Sequence, residues 1–134
     1  MTPDKTEKKS KRPPGRPRKK KDYKVLIAIA GNDVAARFDL AAEAVIAQTE
    51  KGVAPDEPRL LVLAEPSGDE LSGLAVRETV DTVICGGIDE LHYEYLTWKK
   101  INVIDGVIGP YQEALAALLE GRLAPDAILP GAIP

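Results

Sequence analysis

At 134 residues with a formal net charge of −3, the chain has the length of one ordinary domain, enough to bury a core. Its one cysteine excludes an internal disulfide, and the polar, charged opening from Met1 to Ser10 is unlike a signal peptide or a membrane span, so a cytoplasmic protein with no membrane partner is expected. Aromatic residues are only 4% of the chain, which calls for an aliphatic core.

The charge is divided unevenly. Ten basic residues against three acidic ones through Asp22 give that segment +7, while eight against eighteen from Tyr23 onward give −10. Residues 1–22 therefore read as a basic arm on an acidic domain, and an arm with no apolar residue after Met1 is expected to be disordered. Within it, Gly15-Arg16-Pro17-Arg18 looks like the core of an AT-hook. Prolines keep such a segment extended and glycine lets the backbone sit deep, so that arginines enter the narrow minor groove of A·T-rich DNA. Arg12, Gly15, Arg16, Pro17, Arg18 and Lys19 are the candidate DNA-binding residues; Pro14 occupies the place where the fuller motif has a basic residue.

The domain opens with Lys24-Val-Leu-Ile-Ala-Ile-Ala30, a continuous apolar run that predicts a strand buried on both faces. Gly31-Asn32-Asp33 breaks it with turn residues. The stretch Glu43 to Thr49 suits helix or strand; a strand is expected, because a loop with Gly52, Pro55 and Pro58 leads directly to a second β-like run, Arg59 to Leu63, as in an antiparallel pair. Ser67 or Asp69 caps a helix whose Leu71, Leu74, Ala75 and Val80 share a face.

Next comes Asp81-Thr-Val-Ile-Cys-Gly-Gly-Ile88, a short buried strand that breaks into a glycine pair and then an acidic helix start at Asp89-Glu90. The helix from Asp89 to Lys100 is expected to pack through Leu91, Tyr95 and Trp98. A strand over Ile101 to Ile104 follows. The last helix starts with Pro110 at its first position, carries Tyr111, Ala114, Leu115, Leu118 and Leu119 on one stripe, and stops at Gly121. The Pro-rich tail, residues 124–134, is expected to be loosely attached.

The element order is thus β-β-β-α-β-α-β-α, which predicts an α/β fold of three layers, α/β/α, around a mixed sheet of five strands. With the first strand central, the order reverses between the first and fourth strands. Ligands of open α/β sheets sit at such reversals, here between the Gly31 to Arg37 and Cys85 to Asp89 loops.

In that context, the central strand with its short loop and basic-Phe pair, Val83-Ile-Cys-Gly-Gly-Ile88, and Gly106-Val-Ile-Gly109 with Glu113-Ala114 and Glu120-Gly-Arg-Leu123 together resemble the nitrogenase cofactor accessory family, the NifX-like domain also found in the NifB tail and in orange-protein carriers. The resemblance covers about residues 24–123, within a domain placed at residues 23–123. It implies a ribonuclease-H-like topology and a non-enzymatic carrier or chaperone of a molybdenum- or iron-containing metal–sulfur cluster, of the Mo/Fe–S or Mo/Cu–S type, or an apo form of such a carrier. Donor or acceptor proteins for that cluster are the implied partners. The resemblance carries cofactor binding to Asn32, Asp33, Arg37, Phe38, Gly86 and Gly87. Arg37 stands where members often have a histidine; a guanidinium cannot ligate a metal but can hold an oxyanion.

Cys85 and His92 are the candidate metal ligands, a thiolate suiting a soft metal; the alternatives are a small buried hydrophobe for Cys85 and a satisfied surface or boundary residue for His92. A DNA-binding regulatory or architectural role through the arm is the alternative function. A nuclease is disfavoured, because Lys24 to Ala30 carries none of the carboxylates that two-metal chemistry needs.

Overall fold

The apolar run at the start of the domain forms β1 (Lys24–Ala30), which lies at the middle of the sheet. The computed structural model describes residues 22–54 and 57–132, so the AT-hook-like residues Arg12 to Lys19 lie outside the described residues. Alternate side chains of β1 enter the two cores: Val25, Ile27 and Ile29 on one face, Leu26 and Ala28 on the other. Each such aliphatic side chain contributes about 1.5–3 kcal/mol by leaving water.

The other elements are β2 (Asp33–Val34), a 3-10 turn at Phe38–Leu40, β3 (Glu43–Gln48), β4 (Arg59–Val62), α1 (Gly68–Arg77), β5 (Thr82–Ile84), α2 (Glu90–Trp98), β6 (Asn102–Ile104) and α3 (Tyr111–Leu119). The main sheet runs β4-β3-β1-β5-β6, with β3 antiparallel to β1 and β4, and β5 parallel to β1 and β6. This is the expected three-layer α/β architecture with its reversal at β1 and β5. The sixth strand, β2, folds back on β1 through a two-residue hairpin in which Gly31 takes φ +64°. Two residues are too few to show a β period, so the sequence presented them only as a turn.

Ser67 caps α1, its hydroxyl accepting from the Glu70 amide at 3.0 Å. Asp89 caps α2 by accepting from the His92 amide. These helices cover one face of the sheet and α3 the other. Pro110 sits at the cap of α3 and not at its first helical position. Among the described residues no helix is long and apolar enough to cross a membrane.

Two expectations are corrected. The stripe of α2 expected to pack is the one it presents to solvent: Leu91 is 78% exposed, Trp98 70% and Tyr95 38%. Leu96 is the residue of α2 that is buried, and His92 turns the same side of the helix toward Phe38. The Asp89 cap and the ring contacts of His92 fix that rotation, which hydrophobic spacing alone does not encode.

The tail is not loosely attached. Its Ile128 bridges Ile108, the Leu129 amide donates to the Ile108 carbonyl at 2.9 Å, and Leu129 is buried against α3. Leu129→Ala is expected to lower stability by about 2–5 kcal/mol, the usual range for emptying a buried leucine site, read as an earlier urea midpoint at unchanged slope. A midpoint equal to wild type would mean that the tail does not dock.

Candidate functional site

The loops leaving β1 and β5 are stitched together. The Phe38 amide donates to the Gly87 carbonyl at 2.7 Å and the Gly87 amide to the Ala36 carbonyl at 2.7 Å, so Arg37 and Gly87 pair like residues of adjacent parallel strands. Gly86 lies beneath this strap. A Cβ there would run into the carbonyl oxygens of Ala35 and Ala36, so only glycine permits the close approach.

Beside the strap opens a cavity of about 510 Å³. Asp33, Val34 and Ala36 line one side, Gly86 and Gly87 the floor, and the loop from Gly106 to Gly109 with Asp126 the other side. Three loops from the carboxyl ends of β1, β5 and β6 therefore build the crevice at the sheet's reversal point. The sequence pointed to the first two. The third was visible only as the glycine break after β6, and Asp126, in the proline-rich tail, gave no signal at all. Gly106 and Asp126 take φ +72° and +65°, and a Cβ at Gly106 would strike the Asp126 carboxylate, so this corner depends on a glycine.

Of the residues expected to bind a cofactor, Asp33, Gly86 and Gly87 line the cavity. Asn32 lies next to it, its carbonyl accepting from the Tyr111 amide at 3.0 Å. Arg37 is on the other side of the strap, above a separate shallow apolar hollow with Leu40 and Val62, where it makes two 3.0 Å hydrogen bonds to Asp39. This hydrogen-bonded pairing raises the guanidinium's pKa and lowers that of Asp39. Phe38 is fully buried in the α1 and α2 core. An oxyanion in the cavity would thus meet Asp33 and Asp126, and among the described residues no basic side chain lines the walls.

The two candidate metal ligands are not in the cavity. Cys85 is fully buried among Leu26, Phe38 and Leu96, and burial, aided by the charge of Asp105, pushes its thiol up to about 12. Such a group stays protonated at neutral pH and packs as a small hydrophobe. His92 is held at both ring nitrogens: Nδ1 lies 2.6 Å from Asp89 Oδ1 and Nε2 2.8 Å from Asp69 Oδ1. Both nitrogens donate only in the imidazolium form. Partial burial disfavours that charge, but the two carboxylates outweigh it and the pKa rises above 6.5, while the bond to His92 lowers that of Asp89. The ring also lies close over Gly68, leaving no room for a Cβ. His92 is therefore a clamp joining the amino ends of α1 and α2. Among the described residues no group of three or more His, Cys, Asp or Glu is placed to hold a metal.

No family model matches the chain, and no curated protein matches it. Solved structures do share its fold. The protein PH0822 superposes with a TM-score of 0.69 at 20% identity, over 77% of this chain and 94% of that one. A protein of Methanocaldococcus jannaschii provisionally named a dinitrogenase gives 0.64 at 21% identity, over 77% and 93%. A Thermotoga protein provisionally named NifB, of the DUF35 family, gives 0.60 at 23% identity, over 79% and 96%. At these identities the likeness is one of fold.

The clamp has a defined pH signature. Because the His92 pKa is raised on folding, its contribution is fully present below the unfolded value near 6.5 and is lost as pH rises through the folded value. Asp89, lowered on folding, contributes above its unfolded value near 3.8 and loses that contribution as pH falls. His92→Gln is expected to destabilise the protein more at about pH 5.5 than at about pH 8.5, measured as the difference in urea midpoint from wild type. An equal difference at both pH values would show that folding leaves the pKa of the ring unshifted.

Proposed function

We propose that this protein is a non-enzymatic carrier of a molybdenum- or iron-containing metal–sulfur cluster or its precursor, received and delivered by partner proteins through the crevice at the ends of β1, β5 and β6. The observation that carries the reading is that crevice: about 510 Å³, within the size range of small-ligand sites, and floored by glycines that let cargo approach the backbone. The fold shared with proteins named dinitrogenase and NifB supports the choice of cargo.

The donor set shapes the chemistry. With Cys85 sealed in the core and His92 engaged by two carboxylates, the cargo keeps its own sulfides as ligands and is held by fit and hydrogen bonding. Asp33 and Asp126 oppose a bare thiomolybdate anion and favour a cluster that turns an iron-bearing side toward them.

Anaerobic incubation with tetrathiomolybdate, with and without ferrous iron, followed by desalting and elemental analysis, tests this. Molybdenum is expected to be retained only when iron is present. Gly87→Val, whose Cβ has room at 3.5 Å from the Ala36 carbonyl, places its methyl groups in the cavity and should reduce retention at least about tenfold, while Cys85→Ala should leave it unchanged. Undiminished retention by Gly87→Val would remove the crevice from the account.

The charge split favours a second role, binding of A·T-rich DNA by the arm, in addition to the first. It predicts salt-sensitive binding of an A·T-rich duplex that Arg16→Ala abolishes. Equal affinity for a G·C-rich duplex would reduce the arm to a general polyanion binder.

A further inference from the structure

The exposed stripe of α2 is the feature that neither the core nor the crevice accounts for. Leu91, Tyr95 and Trp98 recur at helical spacing on one face, with Glu90 and Glu94 exposed along its flank. A contiguous exposed apolar face of this kind marks an interaction surface. Its chemistry is specific: aromatic rings bordered by carboxylates suit a basic, proline-containing peptide, whose prolines lie on the rings and whose arginines meet both rings and carboxylates. The surface already takes a cation, since the Lys99 ammonium lies 5.0 Å from the Trp98 ring centre and 5.8 Å from that of Tyr95.

A segment of that composition belongs to this chain. Lys11-Arg-Pro-Pro-Gly-Arg-Pro-Arg18 sits in an arm of charge +7 joined to a domain of charge −10. It is also close enough. Parallel pairing sets Asn102, just after α2, level with Thr82 and hence with Val25, just after the arm. The arm leaves from Asp22, whose carboxylate accepts from the Lys51 amide just beyond β3, so the way to β6 is three strand spacings, and with the helix layer about 10 Å above the sheet the gap to the Trp98 end of α2 is about 17 Å. The six residues from Arg16 to Lys21 span up to about 20 Å when extended. We propose that Arg12, Arg16, Arg18 and the prolines between them dock in cis on the Leu91, Tyr95 and Trp98 face of α2.

The single tryptophan makes the contact readable in the full-length protein. Acrylamide quenching of Trp98 fluorescence should be roughly twofold stronger in an Arg12→Glu, Arg16→Glu, Arg18→Glu variant than in wild type at low salt, as loss of a stacked cover implies. At about 0.5 M salt, where screening is nearly complete, the two should converge. The three changes lie outside the described residues, and a Glu90→Lys, Glu94→Lys variant should match the arm variant from the other side of the contact. Equal quenching of wild type and arm variant at low salt would overturn the proposal. So would protection that grows with protein concentration, because the contact would then join two copies.

Discussion

Ala36, Phe38 and Gly87 form a strap that sets where the core under α1 and α2 ends and the crevice begins. It ties the loop after the central strand to the loop after its parallel neighbour with two short backbone hydrogen bonds, over a glycine that no other residue could replace without displacing carbonyl oxygens. On one side it places Phe38 in the core, where it packs with Cys85, Leu96 and the ring of His92. On the other it forms a wall of the crevice. One local arrangement thus separates what belongs to stability from what is open to a ligand.

That division places the titratable groups as well. His92, bonded to Asp89 and Asp69, holds the amino ends of two helices together on the core side of the strap, and the buried Cys85 thiol is kept protonated by its apolar surroundings. The crevice receives neither. It offers backbone, small side chains and the carboxylates of Asp33 and Asp126. Under the proposed carrier role, such a crevice would select its cargo by shape and charge. Arg37, the one cation of the strap, is neutralised by Asp39 and faces a different hollow, so it adds nothing to the crevice's field.

Much of this was legible in the sequence because hydrophobic period and turn chemistry are local signals. The unbroken run from Lys24 to Ala30 announced a strand buried on both faces, Ser67 or Asp69 was expected as the cap of α1 and Ser67 fills that place, and the glycine pair after Cys85 announced the turn that lines the crevice. What failed depended on tertiary partners. Spacing assigned Leu91, Tyr95 and Trp98 to packing, but α2 buries Leu96 instead, with His92 on the same side reaching Asp69 on a different helix. The same contact turned a candidate metal ligand into a structural clamp. Asp126 reaches the crevice because its own amide donates to the Asp105 carbonyl and the following residues fasten the tail to Ile108, and a proline-rich segment advertises no such docking.

The proposed carrier role puts cargo among the glycines at the ends of β1, β5 and β6, away from the His92 clamp. Amide nuclear magnetic resonance spectra recorded while the iron–thiomolybdate mixture is added anaerobically test this. The signals of Gly86, Gly87, Gly106 and Gly109 are expected to shift or broaden first, with those of Asp69 and His92 unchanged at the same additions. Changes that begin at His92, Asp69 and Asp89, with the four glycines unaffected, would contradict it.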